Sequence, residues 1–519
     1  MESENVQFIA RDQLRSASAM NLDWQACRRA RLARDARFDG KFFVGIISTK
    51  IYCRPSCPVP TVKEKNVRYF RTASAAAEAG YRPCLRCRPE CVPGTPGWLG
   101  TPATVLRALR LIAESELEDG GVERLARRLG VGSRHLRRLF LKHLGATPSA
   151  VAHTRRLQFA KKLIDETSLP MNQVALAAGF GCVRRFNDTI RRTYQRTPTQ
   201  IRRLAPRTEP SLENQYVFHL RFRPPYRWNE ILAFLAVRAT PGVEVVEDGM
   251  YRRSISLNGN DGWFEVSLDE QIHSLLIRLQ FPDPRCLFFV IERIRSMFDL
   301  NADWLAIDPV LRADSLLARR VDAAPGLRVP GCWDGFELAT RAIIGQQISV
   351  KGATTLAGRL VREFGRPFSA SNGLTHVFPP PVILADADLT RAGLTRRRAA
   401  TIRDFARTVH DGQISFEGIV DSDAFLACLC EISGIGKWTA QYVAMRALGE
   451  PDAFPYGDLA LQRALGLRSS GDLERRAEAW RPWRSYATMY LWNVEDSGPP
   501  LSGQPEATVL HATSSSRRR

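Results

Sequence analysis

The sequence predicts a multidomain, mainly α-helical protein with α+β parts, and three observations carry that expectation. At 519 residues the chain is too long for one hydrophobic core, at roughly 150 residues per domain. Its texture changes from a short cysteine-bearing, β-rich stretch to continuous helical periodicity, then to alternating strands, then back to helix. Its charge is lopsided: residues 1–210 hold 38 Lys/Arg against 18 Asp/Glu, the whole of the net +20, while the remainder balances at 36 against 36.

The first unit is expected over residues 1–92. Between Asp39 and Pro89, β-rich stretches such as FFVGIIST and NVRYF alternate with turns. Those turns are expected to carry Cys53, Cys57, Cys84 and Cys87, four of eleven cysteines. A unit this small has too little apolar core to stand without a staple. The opening MESENVQFIARDQ shows no basic start leading into an apolar run, and nowhere do eighteen apolar residues run together, so the chain is read as cytoplasmic. In that compartment a C-x3-C pair and a C-x2-C pair, with 26 residues between them, favour a metal over disulfides. Each pair can present two sulfurs from one turn, which suits one tetrahedral zinc. Spacing alone also allows a purely structural zinc knuckle. Cys27 and Cys91 lie outside the pattern.

A Pro/Gly-rich linker at 93–102 precedes a helical unit expected over 103–207. Two segments there, VERLARRLGVGSRHLRRLFLKHLG and MNQVALAAGFGCVRRFNDTIRRTYQRTP, each join an apolar-faced helix through a glycine-containing turn to an arginine-rich second helix. A long helix around Val151 to Asp165 connects them. Outward positions of the second helices are Ser133, Arg134, Arg137 and Arg138, then Val183, Arg184 and Asn187. Arginine suits guanine edges, although many such arginines touch phosphates only. Residues 120–207 carry 19 basic groups against 4 acidic, which fits a plain solvated bundle poorly. Nucleic acid is the expected partner rather than an anionic membrane, because Trp/Phe-rich amphipathic anchors do not adjoin the basic runs.

From 212 to 315 the strands YVFHLRF, SISLNG and WFEVSL interleave with amphipathic segments such as WNEILAFLAV, predicting an α+β domain. Residues 316–496 return to helix, and the polar, small-residue-rich tail 497–519 is expected to be disordered. Within the last helical unit, EISGIGKWTAQYVAMRALG places Gly434-Ile435-Gly436 between two helices, a turn that aims backbone N–H groups at a phosphate. FPYGDLALQRAL and RPWRSYATMYLW follow it.

Three resemblances attach to these motifs. IYCRPSCP and YRPCLRCRPE resemble the N-terminal domain of Ada-type adaptive-response proteins, which implies that Cys53 accepts a methyl group from a DNA methylphosphotriester and is consumed. Zinc would keep the thiolate ionised yet nucleophilic, and Arg54, Arg82, Arg86 and Arg88 are the cations available to hold the phosphate. Methylating one of four thiolates lowers the negative charge facing DNA and should tighten binding. The paired helix-turn-helix segments, with the Gly179-Phe180 turn and the Tyr194 to Pro198 stretch, resemble the AraC-type DNA-binding domain over about a hundred residues.

The order of motifs in the last unit resembles the helix-hairpin-helix glycosylases, best the 3-methyladenine DNA glycosylases of AlkA type. That likeness extends upstream through LRVPGCWDGFELATRAIIGQQISVKGA and makes the α+β domain the family's TBP-like N-terminal domain. It implies Asp458 as catalytic carboxylate, stabilising an oxocarbenium-like sugar. By itself, without the flanking motif, Asp458 reads rather as the N-cap of DLALQRAL. Trp438, Tyr442 and Trp492 match the family's cleft aromatics, Trp492 foremost for stacking on a flipped base, with core packing the alternative for Trp438. Gly434, Gly436 and Lys437 would contact phosphate.

Trp438 stands where lyase-competent relatives carry a Schiff-base lysine, and no four-cysteine cluster follows Cys430. The implied enzyme is therefore monofunctional and without an iron–sulfur cluster. Two departures appear: polar Gln347 occupies the place of an apolar DNA wedge, and Gly457 replaces the first of two adjacent acids. The expected function joins excision of alkylated bases to methyl-triggered transcription activation, with double-stranded DNA and RNA polymerase as partners. The rival is a regulator whose glycosylase-like half binds damage without catalysis. Reversal of O6-alkylguanine is disfavoured, since the only Pro-Cys is at Cys84, inside the zinc pattern.

Overall fold

The computed structural model describes residues 24–60, 62–89, 103–114, 121–204, 214–370, 373–416 and 422–493. The linker at 93–102, the tail at 497–519 and Cys91 lie outside the described residues.

The first unit is a helix, Trp24–Leu32, on a four-stranded sheet of order β3-β1-β2-β4. Strand β1 (Phe43–Ile46) pairs antiparallel with β2 (Ile51–Cys53) and β3 (Val67–Phe70), and β4 (Arg82–Pro83) runs parallel to β2. Alternation along β1 sends Phe43 to a cluster with Tyr52, Phe70 and Tyr81, and Val44 to a separate one with Cys27, Ala30 and Phe42. Neither cluster is large, which is why this unit needs a staple. Cys53 is the last residue of β2 rather than a turn residue, so sheet pairing fixes the first cysteine while turns carry the other three.

Seven helices between Ala103–Glu114 and Pro198–Leu204 make up the described part of the second unit. The connecting helix spans Pro148–Glu166; Thr147 caps it by accepting from the Ala150 N–H, and Pro148 sits where no N–H is required. Leu136 and Phe140 of one second helix, and Phe186 and Ile190 of the other, are fully buried. The second half of this unit shares a core with the next domain: Phe159 meets Phe288 edge-on at 4.9 Å.

That next domain holds a five-stranded antiparallel sheet, order β5-β9-β8-β7-β6, built from β5 (Gln215–Arg221), β6 (Glu244–Glu247), β7 (Met250–Leu257), β8 (Asn260–Asp269) and β9 (Ser274–Gln280). Tyr216, Phe218 and Leu220 alternate inward along β5, and helices Trp228–Ala236 and Leu287–Met297 share the core they enter. From Ala302 onward the chain packs into the largest core, which joins Trp304 and Ile307 to Ile343, Phe405, Val443 and Ala487.

The sheet and this helical domain are pinned together by buried charge. Arg253 Nη2 donates to Glu337 Oε2 at 2.7 Å, and Arg341 Nη1 to Glu244 Oε2 at 3.1 Å. Burial by itself would raise Glu244, yet Arg253 and Arg341 outweigh it and hold the carboxyl below its ordinary range. Among the described residues no helix is long and apolar enough to cross a membrane.

Candidate functional site

The sulfurs of Cys53, Cys57, Cys84 and Cys87 are all buried and lie within 4.8 Å of one another. Backbone geometry converges them: the Cys57 N–H donates to Arg54 O across a tight turn, and the Cys84 N–H donates to Tyr52 O at 2.9 Å, tying the second pair to the strand that ends in the first. So packed, four thiols conflict. Hydrogen bonding with Cys57 drives Cys53 upward, while hydrogen bonding with Cys53 drives Cys84 far downward. A dication removes that conflict by favouring four thiolates, and tetrahedral Zn–S bonds of about 2.3 Å set sulfurs roughly 3.8 Å apart. The four residues fit one zinc ion, and Cys27 lies in a different cluster.

The neighbouring arginines divide. Arg54 Nη1 is 3.0 Å from Asp39 Oδ2, and Asp39 also accepts from the Ser56 N–H and hydroxyl at 3.1 and 2.6 Å. Arg88, expected beside a phosphate, is turned away from that role: its Nη2 sits 2.9 Å from Asp165 Oδ2 and 3.0 Å from Glu166 Oε1 on the long helix. Glu166 is further held by Lys162 at 2.6 Å and by the His219 N–H at 3.3 Å. Burial would raise Glu166, and Lys162 and Arg88 together pull it below the ordinary carboxylate range. Arg86 is exposed and Arg82 half-buried.

On the helix-turn-helix unit, Arg134, Arg137 and Arg138 share the exposed face of Ser133–Leu144, with Ser133 half-buried at its start. Arg137 is 3.5 Å from Glu123, and Arg138 pairs with His135 at 3.0 Å. Val183, Arg184 and Asn187 are exposed at the start of Val183–Tyr194. Both sets oppose the buried apolar faces of their helices.

In the last domain, Gly434 has φ +93°, and a Cβ there would stand 2.3 Å from Thr401 Oγ1, so the hairpin admits only glycine. Thr401 donates to Ser433 O at 2.9 Å, and Gln346 Nε2 donates to Gly434 O at 2.9 Å. Gly436 is the N-cap of Lys437–Ala447, with open space beside it and Lys437 exposed. Gln347, at φ +58°, is exposed next to Ile348, an apolar side chain left 38% exposed.

Asp458 is the N-cap of Leu459–Leu465 and more than a cap. Its Oδ1 accepts from the Leu461 N–H at 3.0 Å and from Trp492 Nε1 at 3.3 Å; its Oδ2 accepts from Trp438 Nε1 at 3.0 Å. Trp438 stacks on Tyr442 at 5.4 Å, and Trp492 approaches Tyr442 at 6.2 Å and Phe234 at 6.5 Å. Trp438 and Trp492 thus meet at the expected carboxylate, and Tyr442 packs against both indoles.

Phe234, which closes the cleft from the α+β domain, was not visible to sequence reasoning. Its only signal was membership of an amphipathic helix. Arg238 lies over its ring at 3.8 Å, and Arg446 Nη1 donates to the Tyr442 hydroxyl at 2.7 Å. Burial would raise Tyr442, but Arg446 and Arg238 prevail and lower it.

A four-cysteine metal centre, a double helix-turn-helix and a helix-hairpin-helix cleft in one chain define a DNA-repair protein joined to a DNA-binding regulator. Four family models match in order: the metal binding domain of Ada over 26–90, a helix-turn-helix domain over 125–204, the AlkA N-terminal domain over 217–334, and the HhH-GPD superfamily of base excision DNA repair proteins over 340–484. A Mycobacterium tuberculosis protein described as "probable bifunctional transcriptional activator/DNA repair enzyme AlkA" is 41% identical over 488 residues, spanning 92% of this chain and 97% of its own. DNA-3-methyladenine glycosylase 2 of Escherichia coli is 32% identical over 286 residues, 54% of this chain and 99% of its own. The bifunctional transcriptional activator/DNA repair enzyme Ada of Escherichia coli is 36% identical over 127 residues, 24% of this chain and 33% of its own. The chain belongs to the family of bifunctional transcriptional activator/DNA repair enzymes of AlkA type.

Proposed function

We propose that this protein excises alkylated bases such as 3-methyladenine by hydrolysis and, at a separate site, takes a methyl group from DNA methylphosphotriesters to switch on transcription. The observation that carries the first activity is the grip of Trp438 and Trp492 on Asp458. A helix cap needs one backbone donor; a carboxylate fixed by two indoles inside an aromatic cleft is held for chemistry. The damaged nucleotide leaves the stack and its base enters between Trp492, Tyr442, Trp438 and Phe234. The N-glycosidic bond breaks with its electron pair leaving on the base, and Asp458 stabilises the cationic sugar. Water then adds at the anomeric carbon and loses a proton. Gly434, Gly436 and Lys437 hold a phosphate, and Gln347, with Ile348 beside it, fills the gap in the duplex.

Zinc, when bound, keeps the four sulfurs ionised. The Cys53 thiolate attacks the methyl carbon; an S–C bond forms, the C–O bond breaks, and its electron pair returns to the phosphate oxygen as an ordinary diester. The thioether is stable, so the Cys53 thiolate is not regenerated. With one sulfur neutralised, the domain repels DNA less. The arginine-bearing faces around Arg134, Arg137, Arg138, Arg184 and Asn187 read the promoter, and RNA polymerase is the partner recruited there.

The test compares wild type with Asp458→Asn on methylated duplex DNA, measuring released bases by mass spectrometry and methyl retained on protein. Release by wild type alone, with methyl on Cys53 in both, is the expected result. No release from either would leave the rival reading, a regulator with a damage-binding module.

A further inference from the structure

The zinc unit does not stand apart from the α+β domain. Arg223 Nε donates to Asp39 O at 2.8 Å, and Lys41 Nζ lies 3.0 Å from the buried Asp303 Oδ2. Between these ties the seam leaves a cavity of about 320 Å³. One wall is Asp39, Arg54 and Ser56; the other is Arg221, Gln271 and His273. Arg54 also lines a small groove that contains Cys53, so a single arginine borders both spaces.

A methylphosphotriester poses a binding problem. The methyl group cancels the charge of the phosphate under attack, so the strand offers charge only at the flanking diesters. Placing the triester at Cys53 therefore requires cations one step along the strand; Arg88 pairs with Asp165 and Glu166 away from the cavity, whereas Arg54 pairs with Asp39 on its wall.

We propose that the seam cavity is a phosphate site for the diester flanking the methylphosphotriester, with Arg221 and His273 of the α+β domain completing it opposite Arg54. This rests on the reading of Cys53 as methyl acceptor. The glycosylase half would then take part in the methyl transfer itself: Arg221 and His273 act as positioning residues, holding the strand so that the methyl carbon faces the Cys53 sulfur. Ser56, whose N–H and hydroxyl now serve Asp39, adds neutral donors on the same wall.

The experiment uses the full-length, zinc-loaded protein and an oligonucleotide duplex carrying one labelled methylphosphotriester. For the Arg221→Gln/His273→Gln double variant, the single-turnover rate of methyl transfer at subsaturating DNA should fall by roughly tenfold, the size of one charged hydrogen bond. The slope of log affinity against log salt should shrink by about 1, and Arg221→Lys with His273 intact should retain most of the rate. Zinc content and base release should match wild type, which shows that both folds survive. Wild-type rate and salt slope in the double variant would overturn the proposal. Absence of methyl on wild-type Cys53 would remove the underlying reading instead, a result that the wild-type arm reports separately.

Discussion

The metal centre and the aromatic cleft solve the same problem, holding a reactive group still, in opposite ways. The metal centre draws its four ligands from 35 consecutive residues and two short-spaced pairs, on a unit whose own apolar clusters are small. The cleft draws Phe234, Trp438, Asp458 and Trp492 from two domains and packs them against the largest core in the molecule. One site is therefore expected to hold its fold together, whereas the other is held by a fold that does not need it. Loss of a metal ligand should unfold its unit, while loss of the Asp458 carboxylate should leave its domain intact.

The largest expected effect is at the metal. Chelation, or Cys84→Ser, should abolish methyl transfer and open residues 24–89 to protease, since binding free energy in small zinc units is folding free energy. Base release should continue at a comparable rate; its loss would mean that the two sites are not independent. Next, Asp458→Asn should cut base release by about 10²–10³-fold or more with an unchanged melting temperature, because asparagine caps a helix as well as aspartate. A large fall in melting temperature would reduce Asp458 to a structural cap.

Trp438→Phe keeps a ring against Tyr442 but removes the N–H that holds Asp458. Base release should drop by roughly tenfold, the size of a charged hydrogen bond, with little change in DNA binding. Near-wild-type release by Trp438→Phe, with loss only in Trp438→Ala, would show instead that stacking, not the hydrogen bond, matters.

The smallest effect concerns the joint between the two regions. Glu166 is depressed below its ordinary 4.5 in the folded protein, so its contribution to stability is present above about pH 4.5 and is lost as pH falls through the lower folded value. Wild type should therefore melt higher than Glu166→Gln at neutral pH, and the gap should shrink as pH falls below about 4.5. A pH-independent gap would point to packing.

Much of both sites was legible in the chain. The spacing of Cys53, Cys57, Cys84 and Cys87 encodes a ligand set because two sulfurs three or four residues apart meet whatever the rest does. Gly434 was legible for a similar reason: a tight turn between two helices holds it at positive φ against Thr401, where there is room only for hydrogen. Asp458 carried an ambiguity, cap or catalyst; it is the N-cap, and the two indole donors that support the proposed second role could not be read from the chain. The partners of Arg88 were not legible, because Asp165 and Glu166 lie far along the chain and meet it only across a domain boundary.

What the sequence determined by itself is local: the periodicities that make helices and strands, the two short cysteine pairs, the helix-turn-helix segments and the charge that concentrates in the first 210 residues. These depend on neighbours within a turn or two, where backbone geometry sets distances. What only the tertiary structure decided is which distant surfaces touch. Phe234 facing Trp492, the regulator sharing a core with the α+β sheet, and Arg221 and His273 standing across a seam from Arg54 depend on which surfaces bury one another. No periodicity records this, because an amphipathic face specifies that it must be covered and not by what.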